Sequence, residues 1–93
     1  MKTKIKIEHP YIETKKGIGS GRPIIKNTRT SVKNLIIYYK MGYTPEEIQR
    51  ELPHLTPAQI YDAISYYYDH QDKIDKEISD DAEDKIKTEY QKP

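Results

Sequence analysis

The fold of this chain is decided by the stretch GRPIIKNTRTSV, residues 21–32. Pro23 fixes its own φ and lacks an N–H donor, which suits the start of an edge strand, and the two isoleucines after it favour extended backbone. Asn27 tolerates left-handed dihedrals and therefore indicates a turn. Ser31 is a suitable N-cap for the apolar run that follows. We predict a strand, a tight turn and a helix in direct succession.

Three cations, Arg22, Lys26 and Arg29, lie in this short stretch. Charged side chains are mostly exposed, so one interpretation is a structural connection with solvated charges. The other interpretation is a rigid basic platform that meets a polyanion or an acidic partner. The residues alone leave both open.

Length and composition predict one soluble, cytoplasmic domain. The chain has 93 residues, of which 34% are hydrophobic and 33% charged, so it can bury one small core. Nine tyrosines and no Phe or Trp suit surfaces that are half buried or shared with a partner. The absence of cysteine excludes disulfides and thiolate metal sites. No apolar run approaches the roughly 20 residues that span a bilayer, and no signal peptide is expected.

The near-neutral net charge conceals a strong asymmetry. Residues 1–40 contain ten Lys or Arg and two Glu, a net charge of +8. Residues 41–93 contain six Lys or Arg and thirteen Asp or Glu, a net charge of −7. Such a division indicates two kinds of partner, or one half folding onto the other in a dimer.

The N-terminal residues, up to and including the extended piece of the 21–32 stretch, predict a β-hairpin. Residues 1–7 alternate polar and apolar side chains, a weak strand pattern. The β-like run 11–14 and the extended piece 23–26 flank a glycine-containing loop, as the two strands of a hairpin would. An isolated hairpin is marginal in water, so it must pack on the helices that follow.

Apolar spacing and capping residues predict three helices. Apolar side chains at i, i+3, i+4 and i+7 place the first helix at 32–41, with Gly42 as its stop. The sequences TPEE at 44–47 and TPAQ at 56–59 are capping-box patterns with Pro at the first helical position. They start a short helix and a longer one, twelve residues apart, which is the spacing of a helix-turn-helix. Many small helical domains without a nucleic-acid role share this outline.

The acidic C-terminal region predicts an amphipathic arm. A thinning apolar stripe extends the third helix to about residue 78. Residues 69–90 contain nine acids and four bases, and we read them as a projecting arm, with a partly disordered tail as the alternative. The chain is thus divided into a hairpin plus helix-turn-helix domain, 1–70, and a helical or partly disordered tail, 71–93.

Enzymatic chemistry finds little support in the sequence. The three histidines occur in unrelated contexts, and no serine lies in a nucleophile elbow. The glycine loop at 17–21 lacks the G-K-[ST] ending of a phosphate-binding loop and does not open a helix. We expect no enzyme, no metal and no cofactor.

Three blocks, in order and with fitting gaps over residues 8–68, resemble the domain of unknown function 433 family. They are GSGRPIIKNTRTSV, MGYTPEEI and LPHLTPAQIYDAISY. The resemblance implies a mainly α fold, with a homeodomain-like helix-turn-helix core of three helices and an N-terminal hairpin. It also implies a VapB-type antitoxin that binds its operator and, in some members, a neighbouring PIN-like ribonuclease toxin. Asn27 stands where the family usually has glycine, and both residues tolerate a positive φ.

The third helix departs from what DNA binding normally needs, because residues 57–70 contain two aspartates and no Lys or Arg. The candidate DNA-binding residues therefore lie mostly in the basic half: Arg22, Lys26, Arg29, Lys33 and Gln59. The candidate residues for binding a toxin or a second copy are Tyr67, Tyr68, Ile74, Ile78 and Ile86. The alternatives are a stand-alone DNA-binding regulator and a dimeric adaptor that uses its tyrosines and binds no nucleic acid.

Overall fold

The structure is a computed structural model that describes residues 8–14 and 21–90, with side chains as far as residue 80. The weak strand pattern at 1–7 and the loop at 15–20 lie outside the described residues. The elements are β1 (Ile12–Glu13), β2 (Ile24–Ile25), α1 (Val32–Lys40), α2 (Pro45–Glu51), α3 (Pro57–Asp69) and α4 (Gln71–Tyr90). None of the described helices is both long enough and apolar enough to cross a membrane.

The predicted hairpin is confirmed, in a shortened form. β1 and β2 are antiparallel, with Ile12 opposite Ile25 and Glu13 opposite Ile24. The backbone N–H of Lys26 donates to the carbonyl of Tyr11 at 2.8 Å, which extends the pairing beyond β2. The side chains of the facing pair Ile12 and Ile25 both enter the core, and this burial gives the small hairpin its support.

The stretch 21–32 folds back on itself directly after β2. The Ile25 N–H donates to the Thr30 carbonyl at 2.9 Å, which closes a tight loop. Asn27 has a φ of 65°, as its tolerance of left-handed backbone predicts. The Thr28 hydroxyl donates to the Ile25 carbonyl at 2.8 Å and accepts the Thr30 N–H at 3.1 Å, so one side chain holds both arms of the loop.

The predicted helix starts are confirmed by their capping contacts. The Ser31 hydroxyl accepts the Asn34 N–H at 3.0 Å and so begins α1. At α2, Thr44 and Glu47 exchange two backbone-to-side-chain hydrogen bonds, at 3.1 and 2.8 Å. Thr56 and Gln59 repeat the same exchange at α3, and both helices have Pro at their start. Three helix N-termini are therefore encoded by contacts within three residues of the chain.

The prediction that the third helix continues to about residue 78 is wrong. α3 ends at Asp69, because His70 leaves helical geometry with φ −133° and ψ 43°. α4 then begins at Gln71 and packs against both α1 and α3. The change of direction brings Ile74 into the core with no exposed surface, so the first turn of the acidic helix is part of the folded core.

The core is built largely from isoleucine. Five elements each contribute one isoleucine with no exposed surface: Ile25 from β2, Ile36 from α1, Ile48 from α2, Ile60 from α3 and Ile74 from α4. The cluster is completed by the ring of Tyr67 and by the apolar side chains of Ile12, Val32, Leu35, Leu55 and Ala63. Within the described residues, no charged or polar side chain is fully buried. Apolar burial is therefore the main source of stability.

Candidate nucleic-acid and partner surfaces

A cationic turn, residues 26–30, forms one wall of an open groove. The turn carries Lys26 and Arg29, both exposed. The groove has a volume of about 640 Å³, and its apolar lining comes from Ile37, Tyr38 and Leu52. The rest of its lining is polar, with amide, guanidinium, hydroxyl and imidazole groups from Asn27, Thr28, Arg29, Thr30, Asn34 and His54. The groove thus offers hydrogen-bond donors and positive charge around a small apolar surface.

A single hydrogen bond ties the cationic turn to the connection between α2 and α3. The Thr30 hydroxyl and Nε2 of His54 are 2.6 Å apart. The amide of Gln49 donates to the Leu55 carbonyl at 3.1 Å and braces the same connection from α2. His54 lies two residues before the Thr56 cap, so the turn stands beside the N-terminal end of α3. The positive end of the α3 dipole adds partial positive charge there.

The five predicted DNA-binding residues lie in different settings. Lys26 and Arg29 are exposed on the cationic turn, and Arg29 lines the groove. Arg22 and Lys33 are half-buried and each makes a contact within the chain. Gln59 is half-buried because its carbonyl oxygen completes the cap of α3, and its role in the fold is therefore structural as well.

Both aspartates of α3, Asp62 and Asp69, contact His9, a pairing that the sequence does not predict. His9 Nδ1 lies 3.2 Å from an oxygen of Asp62, and Nε2 lies 2.7 Å from an oxygen of Asp69. Burial opposes a charge on this imidazole, but the hydrogen bonds to the two carboxylates prevail and raise the pKa of His9 above its ordinary value. The residues are 53 and 60 positions apart, and no local pattern signals the contact.

Glu8 joins this cluster, since its carboxylate, His9 and Asp69 place potential ligand atoms within 4.8 Å of one another. Both ring nitrogens of His9 are, however, already hydrogen-bonded to carboxylates. Because both nitrogens are already engaged, we do not interpret the cluster as a metal centre.

The acidic helix is anchored to the core by a three-residue contact. Asp75 of α4 accepts hydrogen bonds from Nζ of Lys40 and from the hydroxyl of Tyr67, both at 2.8 Å. Nζ of Lys40 also lies 3.3 Å from the Tyr67 hydroxyl oxygen. The hydrogen bond between Lys40 and Asp75 raises the pKa of the lysine and lowers that of the aspartate. Both charged groups are well exposed, so the contact chiefly fixes the direction of α4.

The five predicted partner-binding residues are divided between core and surface. Tyr67 and Ile74 lie in the core of this chain, and Ile78 packs against that core from α4. Tyr68 is 55% exposed, and its hydroxyl is 2.6 Å from the hydroxyl of Tyr39. Ile86 belongs to α4, but its side chain lies outside the described residues. Among the four of these residues whose side chains the structure describes, Tyr68 and Ile78 keep exposed surface that a partner could contact.

The elements define a small, mainly helical protein with four helices and a two-stranded antiparallel hairpin. Residues 12–67 match the family described as protein of unknown function, DUF433. A crystal structure of a DUF433 member protein from Anabaena variabilis ATCC 29413 is similar to this chain, with 32% identity and a TM-score of 0.68. The similarity covers 74% of this chain and 68% of that one. No curated protein matches. The chain belongs to the DUF433 family.

Proposed function

We propose that this protein is an antitoxin-like DNA-binding module of a type II toxin–antitoxin pair. In this proposal α1, α2 and α3 act as a homeodomain-like helix-turn-helix. The cationic turn contacts the phosphates of the protein's own operator, and the acidic helix α4 binds a PIN-like ribonuclease toxin. The protein acts in the cytoplasm as a homodimer, by binding and without catalysis.

The observation that carries the DNA-binding half is the hydrogen bond between Thr30 and His54. α3 contains no cation of its own, so an approaching phosphate needs positive charge from elsewhere. The bond holds the turn bearing Arg29 beside the N-terminal end of α3, where helix-turn-helix proteins meet DNA. A positive charge on His9, whose pKa the two carboxylates raise, would also offset the two acids of α3. Positive charge is therefore supplied beside an uncharged helix start.

The test is salt-dependent binding to a fluorescently labelled duplex that covers the region upstream of the protein's own gene. Each lost phosphate contact reduces the slope of log Kd against log salt by about 0.9, so Lys26→Ala with Arg29→Ala should reduce it by about two. Affinity at moderate salt should fall by at least tenfold. Anisotropy at several salt concentrations measures both quantities.

Lys73→Ala with Lys76→Ala is the matched control, because it removes the same charge from α4, away from the turn. The control should leave the slope within about 0.3 of the unsubstituted protein, a margin well below one phosphate contact. An equal loss in both double variants would show that only net charge matters. Absence of binding by the unsubstituted protein would overturn the DNA-binding half.

The toxin-binding half is supported by the charge and attachment of α4. The helix contains eight acids and four bases in twenty residues, and Ile74 and Ile78 in its first half pack on the core. An acidic helix is complementary to the cationic cleft of a ribonuclease, which binds the phosphates of RNA. The Lys40–Asp75–Tyr67 contact holds the helix at a fixed angle and so reduces the entropy lost on binding.

This half is tested by co-purification with a PIN-like nuclease encoded beside the gene, and by inhibition of its RNA cleavage. Asp72→Asn with Asp80→Asn removes two exposed acids of α4 and should weaken inhibition by about tenfold or more. Glu46→Gln with Glu51→Gln makes the same charge change on exposed positions of α2 and should have little effect. A complex equally strong in all variants, or no nuclease partner in the native host, would remove this half and leave a stand-alone regulator.

A further inference from the structure

The side chain of His9 faces a carboxylate at each of its two ring nitrogens. The side chain is 10% exposed, and its nitrogens lie 3.2 Å from Asp62 and 2.7 Å from Asp69. A neutral imidazole has one N–H and one lone pair, so it can donate to only one of these carboxylates. The other nitrogen would then direct its lone pair at an oxygen anion. Only the protonated ring satisfies both contacts.

We propose that His9 is a proton-binding site that fastens the N-terminal segment, residues 8–14, to α3, and that loss of its proton releases this segment. This release is a conformational change within the chain itself and does not depend on the proposed function.

The contact of His9 with Asp62 and Asp69, which we call the His9 clamp, is connected to the hairpin through Asp62. One oxygen of Asp62 faces His9, and the other accepts the Tyr11 N–H at 2.9 Å. The carbonyl of the same Tyr11 accepts the N–H of Lys26 at 2.8 Å. The proton on His9 is thus connected, through one carboxylate and one peptide unit, to the residue that begins the cationic turn. If the His9 contact weakens, the next hydrogen bond in this series, from the Tyr11 N–H to Asp62, should weaken first.

The groups around His9 favour the charged ring. From α3 it faces Asp62, Asp69 and the ring of Tyr66 at 5.2 Å. From the residue that follows α3 it faces the ring of His70 at 6.3 Å. From its own segment it faces Glu8. Three carboxylates thus surround one imidazole, while protonation of His70 would oppose its charge.

The direction of the pH effect follows from the raised pKa of His9. A group whose pKa is higher in the folded protein stabilises the fold fully below its unfolded value, which is about 6.5 for histidine. That stabilisation is lost as the pH rises through the raised value. The segment should therefore be held at pH 6 and released at mildly alkaline pH. Acids that are salt-bridged in the folded state give the opposite trend.

The experiment is an NMR titration of the full chain from pH 5 to 9, in the presence of a chelator. Nitrogen shifts of the His9 ring report its protonation, and hydrogen exchange reports the opening of Tyr11. We expect both ring nitrogens to be protonated at pH 6. Between the unfolded histidine value of about 6.5 and the midpoint of the His9 titration, the Tyr11 protection factor should fall by up to tenfold per pH unit, the limit for one linked proton, and it should level off above that midpoint. A singly protonated His9 at pH 6, or a Tyr11 protection factor independent of pH, would overturn the proposal.

Two variants and one control separate the clamp from a general loss of stability. His9→Gln has no titrating ring, so protection of Tyr11 should be low at pH 6 and should not change with pH. Asp69→Asn removes a carboxylate that is 55% exposed, so the protein should remain folded while the midpoint of the His9 titration moves down. His54→Gln changes a histidine bonded to Thr30 instead, and should retain the pH dependence of Tyr11. A midpoint unchanged in Asp69→Asn would contradict the proposed geometry.

Discussion

Asn27 is the residue on which the cationic turn depends. Its φ of 65° lies in the left-handed region, where the Cβ of most residues is strained by about 1–2 kcal/mol. Asparagine is among the few non-glycine residues that adopt this conformation routinely. Its exposed side chain lies on the rim of the groove, so asparagine satisfies the backbone and also supplies a polar group.

The effect of a substitution at Asn27 on the free energy of unfolding should therefore depend on how well the new residue tolerates a positive φ. Asn27→Gly should change the free energy of unfolding by less than about 0.5 kcal/mol, because glycine accepts the same φ. Asn27→Val should lower it by about 1–2 kcal/mol, because a β-branched residue is strained there. Urea unfolding at pH 7 measures both. Equal stability of the two variants would show that the turn relaxes to another conformation.

The sequence predicts the contacts between residues that are close in the chain, but it does not predict the contacts between residues that are far apart in it. The turn at Asn27 and the cap at Ser31 were predictable, because the residues that make them are neighbours in the chain. The pairing of His9 with Asp62 and Asp69 was not, because it depends on how the hairpin packs on α3. The capping box at Thr56 and Gln59 was predictable for the same reason as the cap at Ser31.

The helices begin where local contacts dictate and end where packing dictates. The boundaries of α2 and the start of α3 agree with the capping patterns at Thr44 and Thr56. No glycine or proline marks the break between α3 and α4, and the apolar spacing suits one continuous helix. The break at His70 is recognisable only from packing, because it allows Ile74 to enter the core and Asp75 to meet Lys40.

The capping box of α2 makes the stability of this helix depend on pH. The backbone N–H of Thr44 donates to Glu47 and, with the nearby Arg50, lowers the pKa of this carboxyl. The charged form therefore stabilises α2 above the unfolded pKa of glutamate, and this stabilisation is lost as the pH falls through the lower folded value. Glu47→Gln should be less stable than the unsubstituted protein at pH 7, and the difference should shrink at pH 3.

Unfolding of both proteins in urea at pH 7 and pH 3 measures this change. Thr44→Ala removes the other half of the box and should lower the free energy of unfolding by about 1 kcal/mol. Because threonine does not titrate in this range, most of that loss should persist at pH 3. A Glu47→Gln difference that grows in acid would contradict the assigned cap.

At the scale of the whole molecule, the hairpin, α1, α2, α3 and the first part of α4 share one core. Sequence reasoning placed a division at residue 70 on the basis of composition, since the residues that follow are largely acidic. Composition cannot reveal that Ile74, within that acidic region, has no exposed surface. The start of the acidic helix therefore contributes to folding, in addition to any contact with a partner.

Ile74→Ala should accordingly behave as a core substitution. We expect a loss of about 2–5 kcal/mol in the free energy of unfolding, from lost burial and the cavity left behind. Lys73→Ala, its exposed neighbour, should change it by less than about 0.5 kcal/mol. Urea unfolding monitored by circular dichroism measures both, and a small effect of Ile74→Ala would show that α4 is not part of the folded unit.

The five isoleucines with no exposed surface have a consequence for cooperativity. Because β2 and each of the four helices contributes one of them, withdrawing any one element leaves a hole against the others. Isoleucine is branched at Cβ and has few rotamers, so its neighbours cannot easily fill such a hole. We therefore expect β2, the three capped helices and the beginning of α4 to melt at one common midpoint.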